Sequence, residues 1–195
     1  KFHGSYQQDN RENRKPGISK DWQMMLRLRS PGGEIPGKLF LCLDELSDKL
    51  GNGTLRATTR QAFQMHGIRK DNLKEVIKSI VNSMGSTLAA CGDINRNVMA
   101  PAAPFETSEY ITARALAVNV ADLLTPVAGQ GTFLELWADG DLEYTIKPDN
   151  EIAKKRKLQF KENVFSGTKE EPLYGSSYLP RKFKCAVTVP GDNSV

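Results

Sequence analysis

Cysteine and histidine are both scarce in this 195-residue sequence, and their scarcity excludes several kinds of site. The three cysteines, Cys42, Cys91 and Cys185, lie far apart without a C-x-x-C pair, so neither a disulfide framework nor a zinc or iron–sulfur site is indicated. We expect them to be small buried side chains in a protein of a reducing compartment. With only His3 and His66 available, a metal site built from protein ligands alone is disfavoured.

Long apolar runs are also missing. No stretch approaches the roughly 18 consecutive apolar residues of a membrane span, and the N-terminal KFHGSYQQDNRENRKPG lacks the apolar core of a secretory signal. We therefore expect a soluble protein, and its 39% of apolar residues suffice for a core. The net charge of +4 fits an anionic ligand, a nucleic-acid surface or merely a slightly basic protein.

The spacing of apolar residues between positions 23 and 97 predicts the element order strand, helix, strand, strand, helix, strand. The predicted elements are a strand from Gln23, a helix over 39–50, strands over 54–59 and 62–67, a helix with Asp71 as N-cap, Met84 facing inward and Gly85 as its stop, and a strand over 88–91. This order is typical of the ferredoxin-like α+β fold, in which helices cover one face of a sheet and leave the other free to bind something.

The flanking regions are less regular. Residues 1–22 are polar and broken by Pro16 and Gly17, which predicts an extended arm rather than a packed element. Residues 98–195 indicate the beginning of a second domain; in it we predict a helix over 107–124, strands over 132–137, 142–146 and 182–189, and an exposed charged loop over 147–172.

Three basic segments are candidates for a site. The first is a row of donors on two adjacent predicted strands, made by Arg56, Thr58, Arg60, Gln64 and His66. Two arginines on one strand face repel each other unless a polyanion lies across them, and Arg27 and Arg29 on the first strand add to the row. The alternative is a solvated charged face, and a lone histidine such as His66 is more often structural than catalytic.

The other two segments are a polar loop after a predicted strand and a basic segment near the C-terminus. Arg96 lies in the loop GDINRN, and Lys182 and Lys184 point the same way if LPRKFK is extended. The latter segment could equally be an edge strand charged against aggregation. The residues alone therefore predict an α+β protein whose basic segments could converge on a polyanionic ligand or an oxyanion.

Four motifs, in the order HGSYQQ, TLRATTRQAFQMHG, GDINRNVMAPAAPF and LPRKFKCAVTVP, resemble the sulfite and nitrite reductase family over essentially the whole chain. RQAFQMHG, INRNV and RKFK resemble the sulfite-reducing members, whereas nitrite enzymes typically have RQNWQ-like and RKWN-like sequences; Lys184 is the distinguishing residue. TTRQAFQ and KFKCAVTVPGDNSV are most similar to plant, algal and cyanobacterial enzymes, which take electrons from ferredoxin.

The resemblance implies a ferredoxin-like half-domain over 23–97 and the first part of a siroheme-binding α+β domain over 98–195. It also implies the reduction of sulfite to sulfide at siroheme coupled to a 4Fe-4S cluster. By the same resemblance Arg27, Arg96, Lys182 and Lys184 hold sulfite and supply protons, and Arg56, Thr58, Arg60, Gln64 and His66 contact siroheme. Siroheme is edged with carboxylates, so a donor-rich surface suits it. Arginines suit a clamp on an oxyanion, and lysines suit proton delivery.

The sequence departs from the family pattern in one respect: it has no cysteine pairs for the cluster, whose ligands we expect outside this chain. We therefore expect an N-terminal fragment that does not reduce sulfite alone. Its expected partners are sulfite, ferredoxin and the C-terminal half of the same enzyme, in plastid stroma or cyanobacterial cytoplasm. Alternatives are a non-catalytic scaffold subunit, DNA binding in organellar nucleoids, or a ferredoxin-nitrite reductase. DNA binding is disfavoured because the sequence has no aromatic stacking row and no helix with clustered lysine or arginine.

Overall fold

The structure, a computed structural model, describes residues 3–126, 134–138, 141–146, 173–175 and 177–195. The charged loop predicted over 147–172 lies outside the described residues. Across the described ranges no helix is long and apolar enough to cross a membrane.

A four-stranded antiparallel sheet forms the centre of the fold. Its strands are β1 (Ser5–Asp9), β2 (Trp22–Arg27), β3 (Leu55–Ala57) and β4 (Phe63–Ile68), in the spatial order β1-β2-β4-β3. Side chains alternate along β2, so Leu26 is fully buried while Arg27 points to the opposite face. The strands predicted from Gln23 and over 62–67 are confirmed by β2 and β4.

Two helices cover the buried face of the sheet. They are α1 (Gly37–Leu50) and α2 (Leu73–Asn82), whose apolar sides pack on the sheet in one cluster. Four side chains in that cluster are almost completely buried: Leu43, Val76, Ile77 and Ile80. Burial of each such side chain contributes roughly 1.5–3 kcal/mol to the free energy of unfolding. α2 ends at Asn82, before the predicted stop at Gly85; in the turn that follows, Met84 has φ +64° and the backbone N–H of Gly85 donates to the Ile80 carbonyl at 2.8 Å. The predicted ferredoxin-like α+β fold is therefore confirmed.

A bulge in β4 keeps its apolar residues on the covered face. The register between β2 and β4 shifts by one residue, and Gly67 in β4 has φ +77°. Strict alternation would turn Ile68 away from the face that holds Met65, but the extra residue restores it, and both are fully buried. A Cβ at position 67 would lie 2.6 Å from the Cβ of Asn52, so this position requires glycine.

The predicted strand over 88–91 is wrong, because these residues form turns. They are small, apolar and buried, which looks like a strand in sequence, but Ala89 has φ +60° and cannot continue a ladder. Only an isolated antiparallel bridge between Arg29 and Ser86 remains where the last strand was expected. β1 pairs with β2 instead, so the prediction of an unpacked arm is wrong for Ser5–Asp9. The polar sequence SYQQD gave little sign of this strand because backbone pairing, rather than side-chain burial, holds most of it.

Three smaller predictions also need correction. Asp71 lies in a short 3-10 turn (Lys70–Asn72) rather than at the N-cap, which is Asn72. Met84 follows the end of α2 in a turn with φ +64° and is exposed rather than inward. Residues 182–189 form no regular strand but make isolated parallel bridges from Phe183 to Asn95 and from Ala186 to Met99.

Beyond the sheet, helix α3 (Ser108–Leu123) packs through small residues. Ala113, Ala117 and Ala121 are buried, and the side chain of Arg29 donates to the Ala121 carbonyl. The helix predicted over 107–124 is confirmed. β5 (Leu134–Ala138) and β6 (Asp141–Ile146) form an antiparallel pair close to the predicted positions. The division into domains at residues 22 and 97 stays a prediction.

Gly4 offers a test of how β1 fixes β2. We expect Gly4→Ala to destabilise the fold more than Gly17→Ala, although φ is +70° at Gly4 and +78° at Gly17. The positive φ costs alanine about 1–2 kcal/mol at either position. Only at Gly4 would the Cβ meet another atom, at 2.2 Å from the Arg27 carbonyl oxygen, and this overpacking should cost about 1–3 kcal/mol more. Urea unfolding of both variants measures the difference, and equal losses would contradict the predicted clash.

Candidate functional site

The open face of the sheet carries a row of donors across three strands. Gln64 on β4 lies opposite Arg27 on β2 and opposite Arg56 on β3. In the amide orientation that satisfies both groups, the Gln64 side-chain oxygen accepts from Nε and Nη2 of Arg27 at 2.6 Å each. A neutral amide thus separates two guanidinium groups, and Arg56 remains exposed on the outer strand. The sequence predicted this part of the row correctly.

His66 lies on the same face, two residues after Gln64. Its Nε2 atom is buried and has no hydrogen-bond partner in the described part of the chain. Burial lowers the pKa of His66, and the nearby charges of Arg56 and Arg27 lower it further, so the imidazole is neutral near pH 7. A buried nitrogen without a partner on a donor-rich face is consistent with an acceptor group that binds there.

Thr58 and Arg60 depart from the predicted row. β3 ends at Ala57, and the Thr58 hydroxyl accepts from the backbone N–H groups of Arg60 and Ala62 in the turn that follows. The Arg60 guanidinium therefore does not lie beside Arg56 at strand spacing. It donates from Nε and Nη2 to the Asn97 carbonyl at 3.2 and 2.8 Å, and from Nη2 to the Cys185 carbonyl at 2.9 Å.

Two distant segments run side by side next to the sheet: 94–99, which we call the arginine strap, and 183–187, which we call the lysine strap. The backbone N–H of Arg96 donates to the Phe183 carbonyl at 3.0 Å, and that of Phe183 donates to the Ile94 carbonyl at 3.1 Å. The pairing continues with the Met99 N–H, which donates to the Cys185 carbonyl at 3.2 Å, and the Val187 N–H, which donates to the Met99 carbonyl at 2.9 Å. The straps therefore hold Arg96 and Lys184 close to each other.

The four predicted sulfite-binding cations share one electrostatic neighbourhood. Partial desolvation lowers the pKa of Lys184, and the positive charges of Arg60, Lys182, Arg96 and Arg27 lower it further. Lys182 and Lys184 are exposed, whereas Arg96 is half-buried and its Nε donates to the Gly92 carbonyl at 3.1 Å. A lysine whose pKa is lowered by surrounding cations releases a proton more readily, and the cluster as a whole attracts anions.

Sequence reasoning missed the contacts of Tyr6, Cys91 and Arg29. The Tyr6 hydroxyl contacts Cys91 Sγ, and Arg27 Nη1 donates to the same sulfur at 3.1 Å. Burial raises the pKa of Tyr6, and its hydrogen bond to Cys91 contributes. Cys91 is buried as predicted and also anchors Arg27, whereas Cys42 and Cys185 are only half-buried, so the prediction is wrong for these two. Arg29 does not join the donor row, because its guanidinium is buried against α3, 3.7 Å from Asp122.

These features fit a ligand with several anionic groups lying on the open face, with a smaller anion beside it among the cations. Arg56, His66 and Gln64 offer donors to the former, and Arg27, Arg96 and Lys184 surround the latter. Among the described residues no group of three His, Cys, Asp or Glu side chains could hold a metal ion.

Comparison with known proteins identifies relatives for the chain. Residues 19–82 match the family described as the nitrite/sulfite reductase ferredoxin-like half domain. Over its whole length the chain is 60% identical to a ferredoxin sulfite reductase of Synechococcus elongatus, and it covers 31% of that relative. It is 42% identical to the NADPH sulfite reductase hemoprotein beta-component of Methylobacterium nodulans, again over its whole length, and covers 30% of it. The chain thus spans about a third of the length of these curated relatives.

A solved structure, that of the Mycobacterium tuberculosis NirA protein, is similar with a TM-score of 0.51 and 20% identity. The similarity covers 96% of this chain and 27% of that one. At this identity it supports the fold alone.

His66 predicts a dependence of stability on acid. Because its pKa is 6.5 in the unfolded chain and lower in the fold, the unfolded state binds more protons once the pH falls below about 6.5. Stability is therefore lost as the pH falls from 6.5 toward the folded pKa. We expect the loss between about pH 7.5 and pH 5.5, measured by urea unfolding, to be smaller in His66→Asn. Part of the loss should remain, because burial also lowers the pKa of His3, to about 4. An unchanged pH dependence in the variant would contradict the prediction.

Proposed function

We propose that the chain belongs to the nitrite and sulfite reductase family and forms the siroheme- and sulfite-binding part of a ferredoxin-dependent assimilatory sulfite reductase. The relatives named as sulfite reductases and the RKFK segment with Lys184 support sulfite over nitrite as the substrate. The longer protein would reduce sulfite to sulfide with electrons from ferredoxin.

The observation that carries this proposal is the convergence of four cations from three distant parts of the chain. Arg27 comes from the sheet, Arg96 from the arginine strap and Lys184 from the lysine strap, with Lys182 just before that strap. The positive charges of Arg27, Arg96 and Lys182 all lower the pKa of Lys184. Bringing like charges together is unfavourable unless an anion binds among them. Sulfite is an anion that loses oxygen as water during reduction, so it needs both charge stabilisation and protons.

The open face fits siroheme. Siroheme carries several carboxylates along its edge, and the exposed guanidinium of Arg56, the amide of Gln64 and the unpartnered Nε2 of His66 would donate to them. The resemblance also implies Thr58 and Arg60 as cofactor contacts, but their polar groups already have partners within the chain, so we assign them no direct bond to siroheme. When bound, siroheme would supply the iron and the redox chemistry for sulfite reduction. The ligands of the 4Fe-4S cluster would come from the rest of the longer protein.

The residues around sulfite divide into fixed and movable donors. Arg27 is held by Gln64 and Cys91, and Arg96 by the Gly92 carbonyl, so their guanidinium groups are oriented before an oxyanion binds. Lys182 and Lys184 are exposed and can take up protons from solvent after donating them. The two arginines therefore serve as the clamp and the two lysines as the proton donors.

The partners and location follow from the same proposal. We infer that ferredoxin is the electron donor, that the remainder of the longer protein completes the site, and that the protein works in plastid stroma or cyanobacterial cytoplasm. The support is the similarity to a cyanobacterial ferredoxin-dependent relative.

Lys184→Gln in the full-length protein tests the proposed function. Because glutamine cannot deliver a proton, we expect kcat/KM for sulfite to fall by about 10²- to 10⁴-fold, with reduced ferredoxin as the electron donor. Siroheme content, read from the visible absorption spectrum, should stay unchanged. Lys38→Gln, an exposed lysine on α1 away from the cation cluster, is the matched control and should keep full activity.

Three results would overturn the proposal. Full sulfite turnover in Lys184→Gln would exclude the assigned role of this lysine. A higher kcat/KM for nitrite than for sulfite in the unaltered protein would make it a nitrite reductase. The absence of both tetrapyrrole absorption and turnover in the full-length protein would favour a scaffold subunit.

A further inference from the structure

We propose that Arg60 and Asn97 are positioning residues: they form a clasp that sets the arginine strap and the lysine strap in register, and so places Arg96 beside Lys184. The proposal rests on the proposed function, because it assigns a role to residues that hold the sulfite-binding cations. It replaces the assignment of Arg60 to the cofactor, which the family resemblance implied.

Arg60 and Asn97 bind each other reciprocally. The Arg60 guanidinium donates from Nε and Nη2 to the Asn97 carbonyl, and Asn97 Nδ2 donates back to the Arg60 carbonyl at 2.7 Å. Asn97 is only 3% exposed, so water does not compete for these bonds. Each residue thus fixes the backbone of the other.

The side-chain amide of Asn97 also binds the segment that follows β2. Its Oδ1 accepts from the Ser30 N–H at 2.9 Å, and its Nδ2 also donates to the Ser30 carbonyl at 2.8 Å. The Asn97 amide therefore bonds to both the N–H and the C=O of Ser30, in the way that the backbone of a neighbouring strand would. The arginine strap is in this way tied to the strand that carries Arg27.

Arg60 also reaches the lysine strap, through its bond from Nη2 to the Cys185 carbonyl. Asn97 directly follows Arg96, and Cys185 directly follows Lys184. A single guanidinium therefore contacts the residue next to each cation, and its planar fork fixes the distance between them.

Gln61 strengthens the clasp from the adjacent position. Its side chain donates to the Ala100 carbonyl at 2.5 Å and accepts from the Ala100 N–H at 3.2 Å. Its backbone has φ +55°, a strained conformation for a residue other than glycine. Such a conformation persists where surrounding contacts determine it, and here the two bonds to Ala100 do so.

The test compares Arg60→Lys with Arg60→Gln in the full-length protein. Lysine keeps the charge but loses the fork, whereas glutamine loses the charge. If the clasp is what matters, both variants should raise KM for sulfite by about tenfold or more and lower kcat, at unchanged siroheme content. Arg69→Lys, at an exposed arginine that pairs with Asp21, is the matched control and should change neither.

Amide hydrogen exchange supplies a readout that does not depend on activity. In both Arg60 variants the N–H groups of Phe183 and Val187, which join the two straps, should exchange faster than in the unaltered protein. A protein that fails to reduce sulfite would refute the proposed function and leave this readout to decide on the clasp.

Three outcomes would overturn the clasp. Arg60→Lys with unaltered KM and exchange would mean that Arg60 acts through its charge. A lower Tm with unchanged KM in the folded protein would mean that Arg60 is merely structural. If the Arg60 variants do not fold, Gln61→Ala removes only the two bonds to Ala100. It should then speed exchange at Met99 and raise KM for sulfite about threefold, and normal values would refute the proposal.

Discussion

The antiparallel register between β2 and β4 is the constraint on which the rest of the structure depends. It sends Leu26 and Met65 into the core below α1 and α2, and it sets Arg27 opposite Gln64 on the other face. A slip by one residue would bury the guanidinium and expose the leucine. Stability and the donor row therefore follow from the same hydrogen-bonded ladder, and the bulge at Gly67 lets β4 satisfy both demands along its whole length.

The sequence predicted those elements whose apolar residues repeat strongly, and it failed where burial does not follow a period. β2, α1 and α2 could be predicted because each has a core-facing pattern of its own. β1 could not, because its pairing depends on backbone groups that every sequence carries. The turns over 88–91 were taken for a strand because small apolar residues suit both a buried turn and a buried strand, and only the backbone angle at Ala89 separates them.

In the candidate site, too, the positions of some residues could be predicted from the sequence and those of others could not. Arg56, Gln64 and His66 share a face for reasons of strand alternation, so their proximity could be predicted. The change of direction at Thr58 removed Arg60 from that face, and nothing in the spacing signals where a tight turn begins. The approach of Lys184 to Arg96 depends on pairing between segments about 90 residues apart, which no local pattern encodes. The resemblance to a family identified these cations, and the structure explains how they meet.

The clasp joins parts of the chain that are far apart in sequence: Arg60 lies 37 residues from Asn97 and 125 from Cys185. Closing loops of this length costs entropy before any contact compensates for it, so such contacts form late in folding. The sheet and its two helices, by contrast, lie within the first 82 residues and can form while the chain is still being synthesised. We therefore expect the cation cluster to assemble after this sheet, so that a nascent chain exposes the donor face before Lys182 and Lys184 reach it.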